Sequence, residues 1–206
     1  MKRVITAVAA LAATALSVAA CSSGASSGGS AAASSSSSSS STAYVSGQTA
    51  TIMLPSDPGN LDPDLTSLSV TEEADYFLYD SLINFAPNGT PEPGLATKWS
   101  GTTTSATYTI RKGVTCSDGS PLTAATVAAN INFIGNIKNA SSRAGVWVEP
   151  GATATADNAT GTVTVKSPVP DAFLVTDVGQ AQIVCDSGMK NRKLLQEGGE
   201  GTGLTR

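Results

Sequence analysis

The stretch "YTIRKGVTCSDGSPLTAATVAANI", residues 108 to 131, carries two periodicities joined by one turn. Tyr108 and Ile110 alternate with Thr109 and Arg111, so "ATYTIRK" (106 to 112) reads as a half-buried strand. Asp118-Gly119 turns the chain out of that strand. Pro121 and Thr123 set the start of a helix, with Thr123 as its N-cap. Val127, Ile131 and Ile134 then recur at helical spacing, with Phe133 and Ile137 widening the stripe. The helix is expected to run to about Lys138.

Working outward, "ATATADNATGTVTVK" (152 to 166) reads as a hairpin whose second strand alternates Val163 and Val165 with threonines. Short helices are expected from Asp171, just after Pro170, and near Asn191. On the other side, Asn88-Gly89 is a turn signal. Before it, Ser69 and Glu72 form a capping-box pattern ahead of a helix with Ala74, Phe77, Leu78 and Leu82 on one face. Glu73, Asp75 and Asp80 fall largely around the other side and read as a solvated face, not as an acid/base cluster. "TATIMLP" (49 to 55) reads as a strand stopped by Pro55 and the turn-rich "SDPGNLDP". Strands and helices so intermixed give an α/β (mixed α+β) fold class.

Composition narrows the function. The chain has 206 residues, 14% of them charged, and a net charge of -4. Setting aside Lys2 and Arg3, 10 basic side chains face 16 acidic ones, which argues against nucleic acid as a partner. There is no histidine, so imidazole bases and histidine triads are excluded. The sequence points to no catalytic residue, cofactor or metal ligand set.

The N-terminus reads as an export signal: "MKR", then the apolar run from Val4 to Ala15, too short for a membrane span. Val18-Ala19-Ala20-Cys21 resembles the lipobox of bacterial lipoproteins, which implies that Cys21 becomes the lipid-bearing N-terminus. The alternative is an ordinary secretory signal with an incidental cysteine. The Ser/Gly/Ala-rich segment that follows has no side chain able to build a core and reads as a tether reaching roughly 25 Å. The domain reading is therefore 1–21 signal peptide and lipobox, 22–47 tether, and 48–206 folded domain.

Other motifs carry less. Ser187-Gly188-Met189-Lys190 fits the S-x-x-K pattern of serine acyl enzymes but lacks S-D-N and K-T-G partners. "GGEGTG" (198 to 203) lacks the lysine of a phosphate-binding loop. The triplets at Asn88, Asn139 and Asn158 read as turn residues. Cys116 and Cys185, exported into an oxidising compartment, are either a disulfide, the favoured reading, or two buried thiols.

The opening stretch also resembles the signature of the peptide/nickel-type (family 5) solute-binding proteins of ABC importers. The matching positions run from Tyr108, Ile110 and Arg111 through Gly113-Val114 and Asp118-Gly119 to Pro121-Leu122-Thr123-Ala124 and Val127. Leu61-Asp62-Pro63, "YDSLINF" (79 to 85) and "GTPEPGLATKWS" (89 to 100) support it. Cys116 stands where an aromatic is usual, and Thr126 where an acidic residue is usual.

Such proteins are about two and a half times longer, so the resemblance implies an N-terminal fragment. It would be part of the first lobe of a two-lobed periplasmic-binding-protein-like clamshell, with the second lobe absent. It further implies a monomer without catalytic activity, lipid-anchored on the extracytoplasmic face of the cell membrane. In full-length form it would pass peptides or similar small solutes to ABC permease subunits. The ligand-contacting residues are not assigned by the resemblance. A competing reading is a surface lipoprotein serving as an interaction or structural module without a small ligand.

Overall fold

The computed structural model describes residues 51–196, with Gly47 and Thr49. The chain divides into two units, Met1–Thr49 and Ala50–Arg206, and every described helix and strand belongs to the second. Cys21, the tether and "GGEGTG" lie outside the described residues.

The centre is a four-stranded antiparallel sheet in the order β3-β4-β6-β5. It is built from β3 (Ala96–Gly101), β4 (Ser105–Ile110), β5 (Thr153–Asp157) and β6 (Thr162–Lys166). The alternation read at 106 to 112 and 162 to 166 sets its inner face. Ala106 pairs with Val165 and Tyr108 with Val163, and all four side chains are fully buried. The Tyr108 hydroxyl donates to the Val175 carbonyl at 2.8 Å, tying the sheet to α3 (Leu174–Gly179).

Helix α2 (Ala124–Gly135) buries Val127, Ile131 and Ile134 against that inner face. Thr123 caps it as expected, its Oγ1 accepting from the Thr126 amide at 3.1 Å. The helix stops before the expected Lys138. A side chain at Gly135 would collide with the Ala152 carbonyl, and the chain tightens into a 3₁₀ turn at Ile137–Asn139. Two asparagines of α2 act as strand-like clamps. Asn132 exchanges hydrogen bonds with the Ala154 backbone, and Asn130 with that of Val184.

Three elements differ from the sequence reading. The strand expected over 49 to 55 is not formed among its described residues, where Met53 is 93% exposed. No described strand pairs with that segment. Helix α1 (Ser69–Leu78) forms, but Leu68 occupies the N-cap, and Glu72 is drawn to Arg143 instead of closing a capping box. The helix is also turned about its axis. Thr71 and Asp75 face inward while Phe77 is 61% exposed, and Leu82 lies beyond the helix end in the core. Of the acids assigned to a solvated face, Glu73 is exposed, Asp80 is half-buried and Asp75 is fully buried.

The Asn88-Gly89 turn links β1 (Ile83–Phe85) to β2 (Pro91–Pro93), and the hairpin of 152 to 166 is present as β5–β6. The helix expected from Asp171 is α3, whose approach is fixed by the Asp171 carboxylate accepting from the Phe173 amide. Near Asn191 the chain forms α4 (Asp186–Lys190) and α5 (Arg192–Gln196).

Candidate functional site

The Leu61-Asp62-Pro63-Asp64 turn places two carboxylates inside the protein, both fully buried. Burying charge is costly unless a partner comes with it. Arg192, at the start of α5, supplies that partner. Its guanidinium meets Asp62 Oδ1 and Asp64 Oδ2, each at 2.6 Å, and lies 3.6 Å above the Phe133 ring. A second arginine, Arg143, is 3% exposed. It donates to the Pro63 carbonyl at 2.9 Å and to Glu72 Oε1 at 2.5 Å. These contacts lock the turn before α1 to α1 itself, to the loop after α2 and to α5.

Asp75 completes the cluster without a hydrogen bond to either carboxylate oxygen. Burial pushes its carboxyl up to about 7 against the pull of Arg143, and pushes Asp64 up to about 6 against that of Arg192. In the unfolded chain both titrate near about 4. Between those values the folded state holds protons that the unfolded state has released, so stability falls as pH rises and the loss is complete above about 7.

The exposed Asp118 and Asp157, whose carboxyls are held low by hydrogen bonds to Ser120 and Thr160, act in the opposite sense, and only below about pH 4. At about 1.4 kcal/mol per pH unit per group, the chain should be about 4 kcal/mol more stable at pH 5 than at pH 8. Melting followed by circular dichroism should show a midpoint roughly 8–16 °C higher at pH 5. Asp75→Asn should remove most of that difference; an undiminished slope would locate its source elsewhere.

Over this cluster lies a cleft of about 420 Å³ between α1, β1 and the chain following α3. Four aromatic side chains line it: Tyr76, Tyr79, Phe85 and Trp147. Tyr79 is anchored by its hydroxyl, which donates to the Leu61 carbonyl at 2.8 Å. Trp147 is held by the Arg143 guanidinium 4.2 Å from its ring centre. The charged lining groups are Glu72 and Asp80, and neither lysine nor arginine is among them. Gln182 also lines the cleft; it is 7% exposed and its Oε1 accepts no hydrogen bond. Such a surface can hold a small solute by stacking and hydrogen bonding.

The sequence-derived site residues fall elsewhere. Cys116 and Cys185 are brought together away from the cleft as a disulfide, with Cα atoms 6.2 Å apart, joining the Asp118 turn to the start of α4. Ser187 of the S-x-x-K pattern lies beside them, hydrogen-bonded to Asp118. Arg143, Arg192 and Asp64 are not singled out by sequence reasoning, and Asp75, read there as part of a solvated face, is fully buried. The available signal is the pair of acids flanking Pro63 in a chain with few charges.

A family model described as bacterial extracellular solute-binding proteins, family 5 Middle, matches residues 90–199. Among solved structures, the chain is similar to a substrate-binding protein from Microbacterium hydrocarbonoxydans, complexed with 4-hydroxybenzoate hydrazide. The identity is 31% and the TM-score 0.60, over 67% of this chain and 29% of that one. It is also similar in fold to Haemophilus influenzae OppA in complex with the peptide RPPGFSPFR, at 17% identity and TM-score 0.59, over 69% of this chain and 32% of that one. Brucella suis NikA in complex with Fe(III)-EDTA matches at 24% identity and TM-score 0.54, over 71% and 28%. No curated protein matched.

The chain thus spans about 30% of the length of these structures, whose fold has two lobes. Family model and fold agree on the assignment: the chain belongs to the bacterial extracellular solute-binding proteins of family 5.

Proposed function

We propose that this chain is part of the first lobe of an ABC-importer binding protein that captures peptides or similar small solutes for a membrane permease. The observation that carries the reading is the family match over 90–199 in a chain whose described surface holds an open aromatic cleft. In this reading binding draws a second lobe onto the cleft, and no chemistry is performed on the solute. One lobe covers a solute on one side only, so the 206-residue chain should bind several kcal/mol more weakly than a closed clamshell. Calorimetry against a peptide mixture tests this. Heats with millimolar midpoints are expected, and micromolar binding by this chain would overturn the one-lobe reading.

The same reading assigns residues 1–21 to a signal peptide, Cys21 to the lipid anchor and 22–47 to a tether on the extracytoplasmic face of the cell membrane. One acyl chain holds a membrane only marginally, whereas two or more hold it stably. Cys21→Ser should therefore move the protein from the membrane fraction to the soluble fraction. Unchanged fractionation of the variant would exclude the anchor. In that oxidising location the Cys116–Cys185 bridge persists.

A further inference from the structure

We infer that the cleft between α1, β1 and the chain after α3 selects solutes that carry an aromatic ring next to a positively charged amine. The inference rests on the solute-capture reading and names the class of solute. The aromatic half follows from the walls. Tyr76 is 81% exposed and Phe85 42% exposed, yet both line one concave surface with Trp147. Isolated exposed aromatics are ordinary, but aromatics converging on one cleft offer faces for stacking. Trp147 is also pre-set, because Arg143 stacks on its ring while pairing with Glu72. A ring entering the cleft therefore meets a surface that loses little freedom on binding.

The cationic half follows from charge. The lining carries Glu72 and Asp80 and no basic side chain. Arg143 pairs with Glu72, so that acid is already partly compensated. Arg111 and Lys112 line a neighbouring hollow of about 400 Å³ that shares Asp80 and Asn84 with the cleft, and they are not in the cleft's own lining. With acceptors and no basic side chain in its own lining, the cleft suits an amine better than a carboxylate. Gln182 adds an orienting group. Its Oε1 is a buried acceptor without a donor, and an ammonium N–H would remove that deficit.

The test uses the whole chain carrying Trp99→Phe, so that Trp147 is the remaining tryptophan. Its fluorescence is titrated with tyramine, with 4-hydroxyphenylacetate and with butylamine. Tyramine should bind at least tenfold tighter than either of the others. Gln182→Leu should weaken tyramine about fivefold or more, and Tyr76→Ala should do likewise. Equal binding of the acid and the amine, or tyramine binding indifferent to both substitutions, overturns the inference. Calorimetry with a peptide mixture separates the two levels. Peptide heats without tyramine binding reject the solute class alone, whereas the absence of both rejects solute capture as well.

Discussion

Replacing Arg192 by alanine is expected to cost the folded chain about 3–5 kcal/mol, the range for removing one partner of a buried ion pair. The effect belongs at the upper end because one guanidinium serves two carboxylates, Asp62 and Asp64, each fully buried. Truncation would also remove the contact with Phe133. Arg192→Lys should recover part of the loss, since an ammonium keeps the charge but cannot hold both oxygens in the same fork. Denaturant unfolding, with Asp64→Asn as the second arm of a double-mutant cycle, gives the coupling directly. Additive effects of the two substitutions would show that the clamp does not act as a unit.

The second large effect is expected at the disulfide. Cys116 and Cys185 are 69 residues apart, and closing a loop of that length stabilises by about 4 kcal/mol in the chain-entropy account. Cys116→Ala with Cys185→Ala should lower the unfolding midpoint accordingly and loosen the Asp118 turn against α4. Alkylation of unreduced, unfolded protein should leave both thiols unlabelled. Labelling at both positions would refute the bridge.

The structure also separates what local pattern can specify from what it cannot. β4, α2 and the β5–β6 hairpin are legible because their apolar residues repeat with the period of the element and all face one core. Thr123 is legible because a cap is a local contact. Helix α1 is legible in its position but not in its rotation. Local pattern puts Asp75 outward because an isolated carboxylate belongs in water. In the fold, burial pushes it toward the neutral form, and Arg143, from a distant loop, only partly opposes that. The role of Leu61-Asp62-Pro63 is hidden for the same reason, since Arg192 closes that contact from the far end of the described chain. The helical asparagines Asn130 and Asn132 give no local hint that they hold backbone edges. The cleft is the extreme case: it is assembled from α1, β1, Trp147 and the Gln180–Gln182 segment, which no spacing rule connects.

Hydrogen exchange of the whole chain, read by mass spectrometry with and without a saturating peptide mixture, tests solute capture at this cleft most directly. The expected result is slower exchange across residues 72 to 85, around Trp147 and through Gln180–Gln182, with the β5–β6 hairpin unchanged. Protection confined to the hairpin, or measurable binding that leaves 72 to 85 unprotected, would contradict it.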